Sequence, residues 1–236
     1  MNRVNMGVTF GDKHSYNDLG LILASKSVGY PEVKSRYIEV PGRDGDIDET
    51  EILTGRPAYG NRNIKLTFML LNEKYRDWSA VMSKIAGLIH GKKLRVIFDD
   101  DRGYYYVGRC SVEPISANKK AGKVTISINA DTYKYLISGS EEPWLWDPFD
   151  FEIGVINDTY KRIIDGTETI VFDTFDKPET LICDASSDMT LVYNGVTYPI
   201  SAGRNVLYSI LLTSGSHSLT FEGSGEVTIY WEGGRF

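Results

Sequence analysis

The chain has 236 residues, 42% hydrophobic and 25% charged, with fifteen Tyr, nine Phe and four Trp. That is globular composition enriched in strand-forming aromatics, and it argues against disorder. No apolar run reaches the ~20 residues of a membrane helix, and the N-terminus holds no signal-peptide core, so cytoplasmic synthesis is expected. Two cysteines, Cys110 and Cys183, make neither a disulfide framework nor a cysteine zinc site and read as buried small hydrophobes. The net charge of −6 is unevenly spread: residues 1–140 carry 21 Lys and Arg against 16 Asp and Glu, whereas residues 141–236 carry 5 against 16. This asymmetry predicts two domains with different neighbours.

Taken in chain order, residues 8–10 open a strand before the turn Gly11-Asp12. Strands are expected at 18–23 and 36–40. Residues 41–48 hold too many turn formers for regular structure. Residues 62–71 alternate at Ile64, Leu66 and Phe68. The convincing helix spans 73–90, where Trp78, Val81, Met82, Ile85 and Ile89 recur at spacings of three and four. Asn72 is its predicted N-cap and Gly91 its left-handed stop. Strands at 93–98, 104–112 and 124–128 follow, with turns at 99–103 and 119–122. A stiff, extended connector is predicted at 141–150, which holds Pro143, Trp144, Trp146 and Pro148. Eight short strands are then expected, at 151–156, 168–173, 179–183, 189–193, 196–200, 205–212, 217–221 and 226–231, with Asn194-Gly195 as a hairpin turn. The expected class is mainly β. A β-sandwich or barrel-like domain with one α-helix fills 1–140, and an all-β sandwich fills 151–236.

No constellation predicts catalysis, a cofactor or a metal. Asp44, Asp46 and Asp48 open like a calcium loop, but the sixth and twelfth positions hold Glu49 and Gly55, where a Gly and a bidentate Glu are needed. Asp99, Asp100 and Asp101 read as a hairpin turn. His14, His90 and His217 have no paired ligand spacing, and no P-loop or nucleophile elbow occurs. Tyr104 and Tyr106 share one strand face and Tyr105 takes the other, which splits the triplet as a nucleic-acid stacking platform. An alternative reading is a carbohydrate-binding β-sandwich protein, with Trp144, Trp146 or Trp231 stacking on sugars.

Several stretches occur in a family order. They are Asn17-Asp18-Leu19-Gly20-Leu21-Ile22-Leu23, then Ile38-Glu39-Val40-Pro41-Gly42-Arg43-Asp44-Gly45-Asp46-Ile47-Asp48, then Leu53-Thr54-Gly55, Tyr59 and the strand at 64–68. The helix at 73–90, Phe98-Asp99-Asp100 and the Tyr-rich strand at 104–109 complete the order. On these residues the chain resembles the distal tail protein (Dit) family of long-tailed, non-contractile bacteriophages. The resemblance implies a structural role without chemistry. It implies a ring of six at the tail tip, joining the tail tube to the tail-tip or tail-associated lysin protein, with receptor-binding proteins outside. It also implies a tail-tube-like first domain and an outward-facing, galectin-like second one. At about 90 residues the second domain has no room for the long inserted arm that some members carry. The implied location is the virion tail tip, assembled in the host bacterial cytoplasm, with DNA crossing the lumen without specific binding. A ring-former needs segments that reach neighbours. The polar, Gly-rich stretch 41–61 is the candidate, with Arg43, Asp44, Asp46, Asp48, Glu51 and Arg56 as expected subunit-interface residues.

Overall fold

The computed structural model describes residues 6–70, 78–114, 116–118, 121–137, 161–231 and 233–236. Contacts divide the chain into two compact units, Met1–Lys134 with Phe236, and Tyr135–Arg235. The connector expected at 141–150, the strand expected at 151–156 and the N-cap Asn72 lie outside the described residues.

The first unit is built on a curled antiparallel sheet. Its strands are β1 (Val8–Phe10), β2 (Lys13–His14), β3 (Leu21–Val28), β6 (Arg62–Leu70), β7 (Lys93–Phe98), β8 (Tyr104–Val112) and β10 (Ala121–Ala130), ordered β2-β1-β7-β8-β10-β6-β3. Between them lie β4 (Tyr37–Ile38), β5 (Ile47–Asp48), α1 (Trp78–Ile89) and β9 (Ser116–Asn118). Alternate residues turn inward, as the two-residue period of a pleated strand requires. Ile64, Leu66 and Phe68 face Ile128, Ile126 and Val124 in register across β6 and β10, and all six are buried. The helix stripe closes this core. Ile85 and Ile89 are buried within it, and Val81 and Met82 pack against it. Each fully buried Ile contributes about 1.5–3 kcal/mol by area. Gly91 stops the helix at φ +76°, a conformation costly for any residue with a Cβ. Its N–H leaves the helix for the Cys110 carbonyl, 2.8 Å away, which ties the helix end to β8.

Two expectations change in this unit. The strand expected at 18–23 begins only at Leu21, because Asp18–Gly20 form a turn in which the Asp18 carboxylate accepts the His14 N–H at 2.7 Å. The strand continues to Val28 through a bulge after Leu23. Residues 41–48 are not wholly irregular either. Ile47 and Asp48 form β5 and pair with Ile38 and Tyr37, because the turn formers are spent by Asp46 and the returning limb can extend.

The second unit contains β12 (Lys161–Thr174), β13 (Glu179–Ala185), β14 (Met189–Tyr193), β15 (Val196–Ile200), β16 (Gly203–Leu212) and β17 (Gly215–Tyr230), with a short pair β11 (Lys134–Leu136) and β18 (Gly234–Arg235). β12 pairs with β17 along fourteen residues. The other edge of β17 pairs with β14 at residues 220–222 and with β13 at 227–230. One continuous two-stranded spine therefore serves two layers, β15-β14 on its first half and β16-β13 on its second. Residues of both layers share one buried core, from Leu191 and Phe221 to Leu181 and Ile229.

Gly166, at φ +82°, lies opposite Gly223, at φ +149°, and glycine suits a strand position where the backbone departs from the ordinary pleat. The strand expected at 168–173 is thus the second half of a longer one. The strands expected at 217–221 and 226–231 are a single strand, because Gly223 and Gly225, at φ +149° and +150°, stay paired with β12. Asn194 and Gly195, at φ +49° and +76°, make the expected two-residue hairpin turn between Tyr193 and Val196.

Candidate assembly surface

β3 and β6 are hydrogen-bonded neighbours, yet residues 29–61 are inserted between them. This insertion is a ribbon. Its rungs run from Gly29 N–H to the Asn63 carbonyl (2.9 Å), Gly60 N–H to Glu32 (2.8 Å) and Lys34 N–H to Ala58 (2.8 Å), and then to the β4–β5 pair. Arg36 locks the outer part. Its N–H donates to Thr50 Oγ1 at 3.0 Å, and its guanidinium lies 3.4 Å from Glu49. Apart from Pro31, no residue of the ribbon is buried. Tyr30, Tyr37, Ile52 and Leu53 are exposed, Leu53 to 84%.

The six expected interface residues all lie on this ribbon. Arg43, Asp44 and Asp46 are exposed in the turn between β4 and β5, with Asp48 beside them on β5. Among the described residues no side chain pairs with Arg43, Asp44, Asp46 or Glu51. Thr50 donates to the Asp48 carboxylate, through its hydroxyl first and then its N–H at 2.9 Å, and holds that carboxyl below the usual range. Glu51 opens the next turn, where its carbonyl accepts Gly55 N–H at 2.7 Å. Arg56 stands apart on the return limb, half-buried, with its Nε enclosed and without a hydrogen-bond partner among the described residues. The apolar side chains beside these charges were not singled out in the sequence. Ile52-Leu53, flanked by Glu51 and Thr54, was the available signal.

A cleft of about 450 Å³ opens on the sheet face that looks away from the first unit's core. Asn63, Arg109, Ser127 and Asn129 line it from β6, β8 and β10, together with Lys93 and Asp131. Lys93 Nζ lies 3.3 Å from Asp131, and Arg109 donates to the Gly91 carbonyl at 2.6 Å. Ser127 donates to Glu113 at 2.6 Å, which lowers the Glu113 pKa, and Lys65 stands 3.5 Å from the same carboxylate.

The remaining chemical candidates are absorbed by the fold. The three acidic residues of the 99–103 turn have separate partners: Asp99 bonds His14 at 3.1 Å, Asp100 bonds Lys26 at 2.5 Å and Asp101 bonds Lys134 at 2.8 Å. Tyr104 and Tyr106 are buried, while Arg95 covers the Tyr105 ring at 4.1 Å. His90 Nδ1 accepts Val112 N–H at 3.0 Å. His217 Nε2 donates to the Thr213 carbonyl at 2.6 Å, and its Nδ1 accepts the Tyr193 hydroxyl at 2.9 Å. Burial raises both cysteine thiols to about 11. Among the described residues no group of three or more metal-ligating side chains occurs, and no helix is long and apolar enough to cross a membrane. Trp231 corrects the sugar-stacking expectation. It is buried, and its ring stacks on Phe172 at 5.5 Å and 6° between planes. Trp144 and Trp146 lie outside the described residues.

Among the described residues the chain is mainly β with one helix and divides into two compact units. Residues 11–130 match the phage tail protein RIFT-related domain family, just over half of the chain, and the protein belongs to that family. A phage tail protein is a structural part of the virion. The whole-chain fold is similar to the crystal structure of the SPP1 Dit (gp 19.1) protein, described there as a paradigm of the hub adsorption apparatus in phages infecting Gram-positive hosts. That likeness has 11% sequence identity and a TM-score of 0.58, covering 95% of this chain and 97% of the other. No curated protein matches the chain.

Proposed function

We propose that this tail protein forms a ring of six at the tail tip, joining the tail tube to the tail-tip protein, and that it performs no catalysis. In this reading residues 1–140 build the ring, 141–150 connect, and the 151–236 sandwich faces outward. The single observation that carries the reading is the ribbon at 29–61. A two-stranded ribbon without a core is marginally stable alone. This one also presents Tyr30, Tyr37, Ile52 and Leu53 to water. Apolar side chains gathered on a projecting element mark a contact with another chain. In this reading the ribbon meets a different surface of the next copy, a heterologous contact, which closes into a ring when its rotation permits.

The positive charge of the first domain fits the same reading. A lumen lined by Lys92, Lys93, Lys119, Lys120 and Lys123 would retain exiting DNA through phosphate contacts, so in this reading Lys92, Lys93 and Lys123 belong on the ring faces or at subunit contacts; Lys119 and Lys120 lie outside the described residues. The acidic second domain faces outward, where like charge keeps its copies apart. The test is Ile52→Ser with Leu53→Ser. Both side chains are exposed, so the isolated chain keeps its thermal stability while ring formation, seen by electron microscopy of assembled tails, is lost. Tails whose tip holds this chain in no ring would refute the reading.

A further inference from the structure

The acidic turn of the ribbon and the polar cleft of the sheet are complementary surfaces carried by one chain. Between residues 39 and 51 the ribbon carries six carboxylates against Arg43. The cleft face carries Lys65, Lys93, Arg109 and Lys123 against Glu113 and Asp131. We propose that the cleft of each copy receives the acidic turn of the next copy's ribbon, with Asp44, Asp46 and Asp48 set against Lys93 and Arg109 and with Arg43 near Asp131. This contact rests on the ring reading and names the surface that the ribbon engages.

Three observations argue for a second copy as the occupant. Arg43, Asp44 and Asp46 are exposed, so a chain's own turn does not fill its own cleft. The ribbon leaves the sheet at the cleft rim, where Gly29 N–H bonds the carbonyl of Asn63. From there its first limb runs nine residues to Ile38, which at ~3.3 Å per residue gives the turn a reach of at most about 30 Å from the rim. Donor and receiver thus sit at separated places on one subunit, as a repeating head-to-tail contact requires. The cleft is also hydrophilic. Asn63, Ser127 and Asn129 offer hydrogen bonds to carboxylates and backbone, and opposite charge fixes the register of such a contact.

The test uses full-length chains. Asp46→Cys and Asn129→Cys are made separately, both at exposed positions, mixed during assembly at pH 8, and then treated with diamide, which takes up the two electrons and two protons released when a thiol pair becomes a disulfide. The native thiols are buried and protonated at that pH. The expected result is a disulfide-linked pair containing one chain of each variant in the assembled rings, and none from either variant alone. In parallel, Lys93→Glu weakens ring assembly at least tenfold, and Asp46→Lys with Asp48→Lys restores it. Rings that assemble from the cysteine variants without the mixed disulfide, or from Lys93→Glu undiminished, overturn this contact and leave the ring reading standing. Absence of rings from the unaltered chain overturns both.

Discussion

The glycine step of the β12–β17 spine can be tested at one atom. Gly223 sits at φ +149°, and a Cβ there would lie 2.7 Å from Met189 Cβ and 3.3 Å from Met189 Cα. Gly223→Ala therefore meets two costs. Holding a side chain in that conformation costs about 1–3 kcal/mol. Forcing the β14 backbone aside costs about 1–3 kcal/mol more, since the clash is with Cβ and Cα and no rotamer relieves it. The lost freedom of the unfolded chain offsets ~0.4–1 kcal/mol. The net is a destabilisation of roughly 2–5 kcal/mol, a thirty-fold to several-thousand-fold change in the opening equilibrium. Gly166→Ala is the control. Gly166 lies directly opposite at φ +82° with open space around its Cβ position, so it carries conformational strain alone, about 1–2 kcal/mol. Hydrogen exchange of β14 and β17 amides in the whole chain reads the second unit without interference from the first. Equal exchange rates in the two variants would refute the argument that close packing against Met189 requires glycine at 223.

Further outcomes follow from other sites. Ile85→Ala removes a buried side chain from the helix stripe and lowers the stability of the first unit by ~2–5 kcal/mol; unchanged melting with lost assembly would instead place the stripe at a subunit contact. Calcium leaves the melting temperature unchanged, and Asp46→Asn with Asp48→Asn alters nothing in that response; a calcium-dependent rise abolished by the pair would show a site in the β4–β5 turn. Cys110 and Cys183 resist maleimide labelling at pH 8 in the folded chain and react after denaturation. Because burial raises both thiols from an ordinary value near 9 to about 11, their contribution to stability is intact below pH 9 and is lost as pH climbs from 9 to 11, which a melting series across that range reads out. Attachment of the ring to neighbouring tail proteins weakens as salt rises from low to physiological strength and beyond, since exposed charge pairs are screened.

The parts of the fold legible in the sequence were those in which local pattern and tertiary burial agree. Ile64, Leu66 and Phe68 alternate because one strand face is core, and Ile85 and Ile89 keep helical spacing because one helix face is. Asn194-Gly195 was legible because few other pairs accept two positive φ angles. The glycines at 223 and 225 misled because a chain reversal and a layer change demand the same residue; only the partner strand, with Gly166 in register, distinguishes them. Ala24–Ser27 hid the length of β3 because this edge strand pairs with β6 alone and keeps its polar side chains in water. The charges of the ribbon were visible as a dense polar run. The cleft was not, because Asn63, Lys93, Arg109 and Asn129 come from four separate strands and meet only through register.

The spine shared by both layers also settles where the second unit tolerates change. The Asn194-Gly195 turn joins β14 to β15, and among the described residues β15 pairs with no other strand of its sheet. A peptide inserted in that turn leaves all fourteen rungs of the β12–β17 pair untouched. A break in β17 between Glu222 and Val227 would part the segment that pairs with β14 from the segment that pairs with β13. The unit thus behaves as a mounting frame: its rim accepts foreign cargo, and its central rib does not. Variation between related chains, or a grafted tag for following the tail during infection, belongs at the rim.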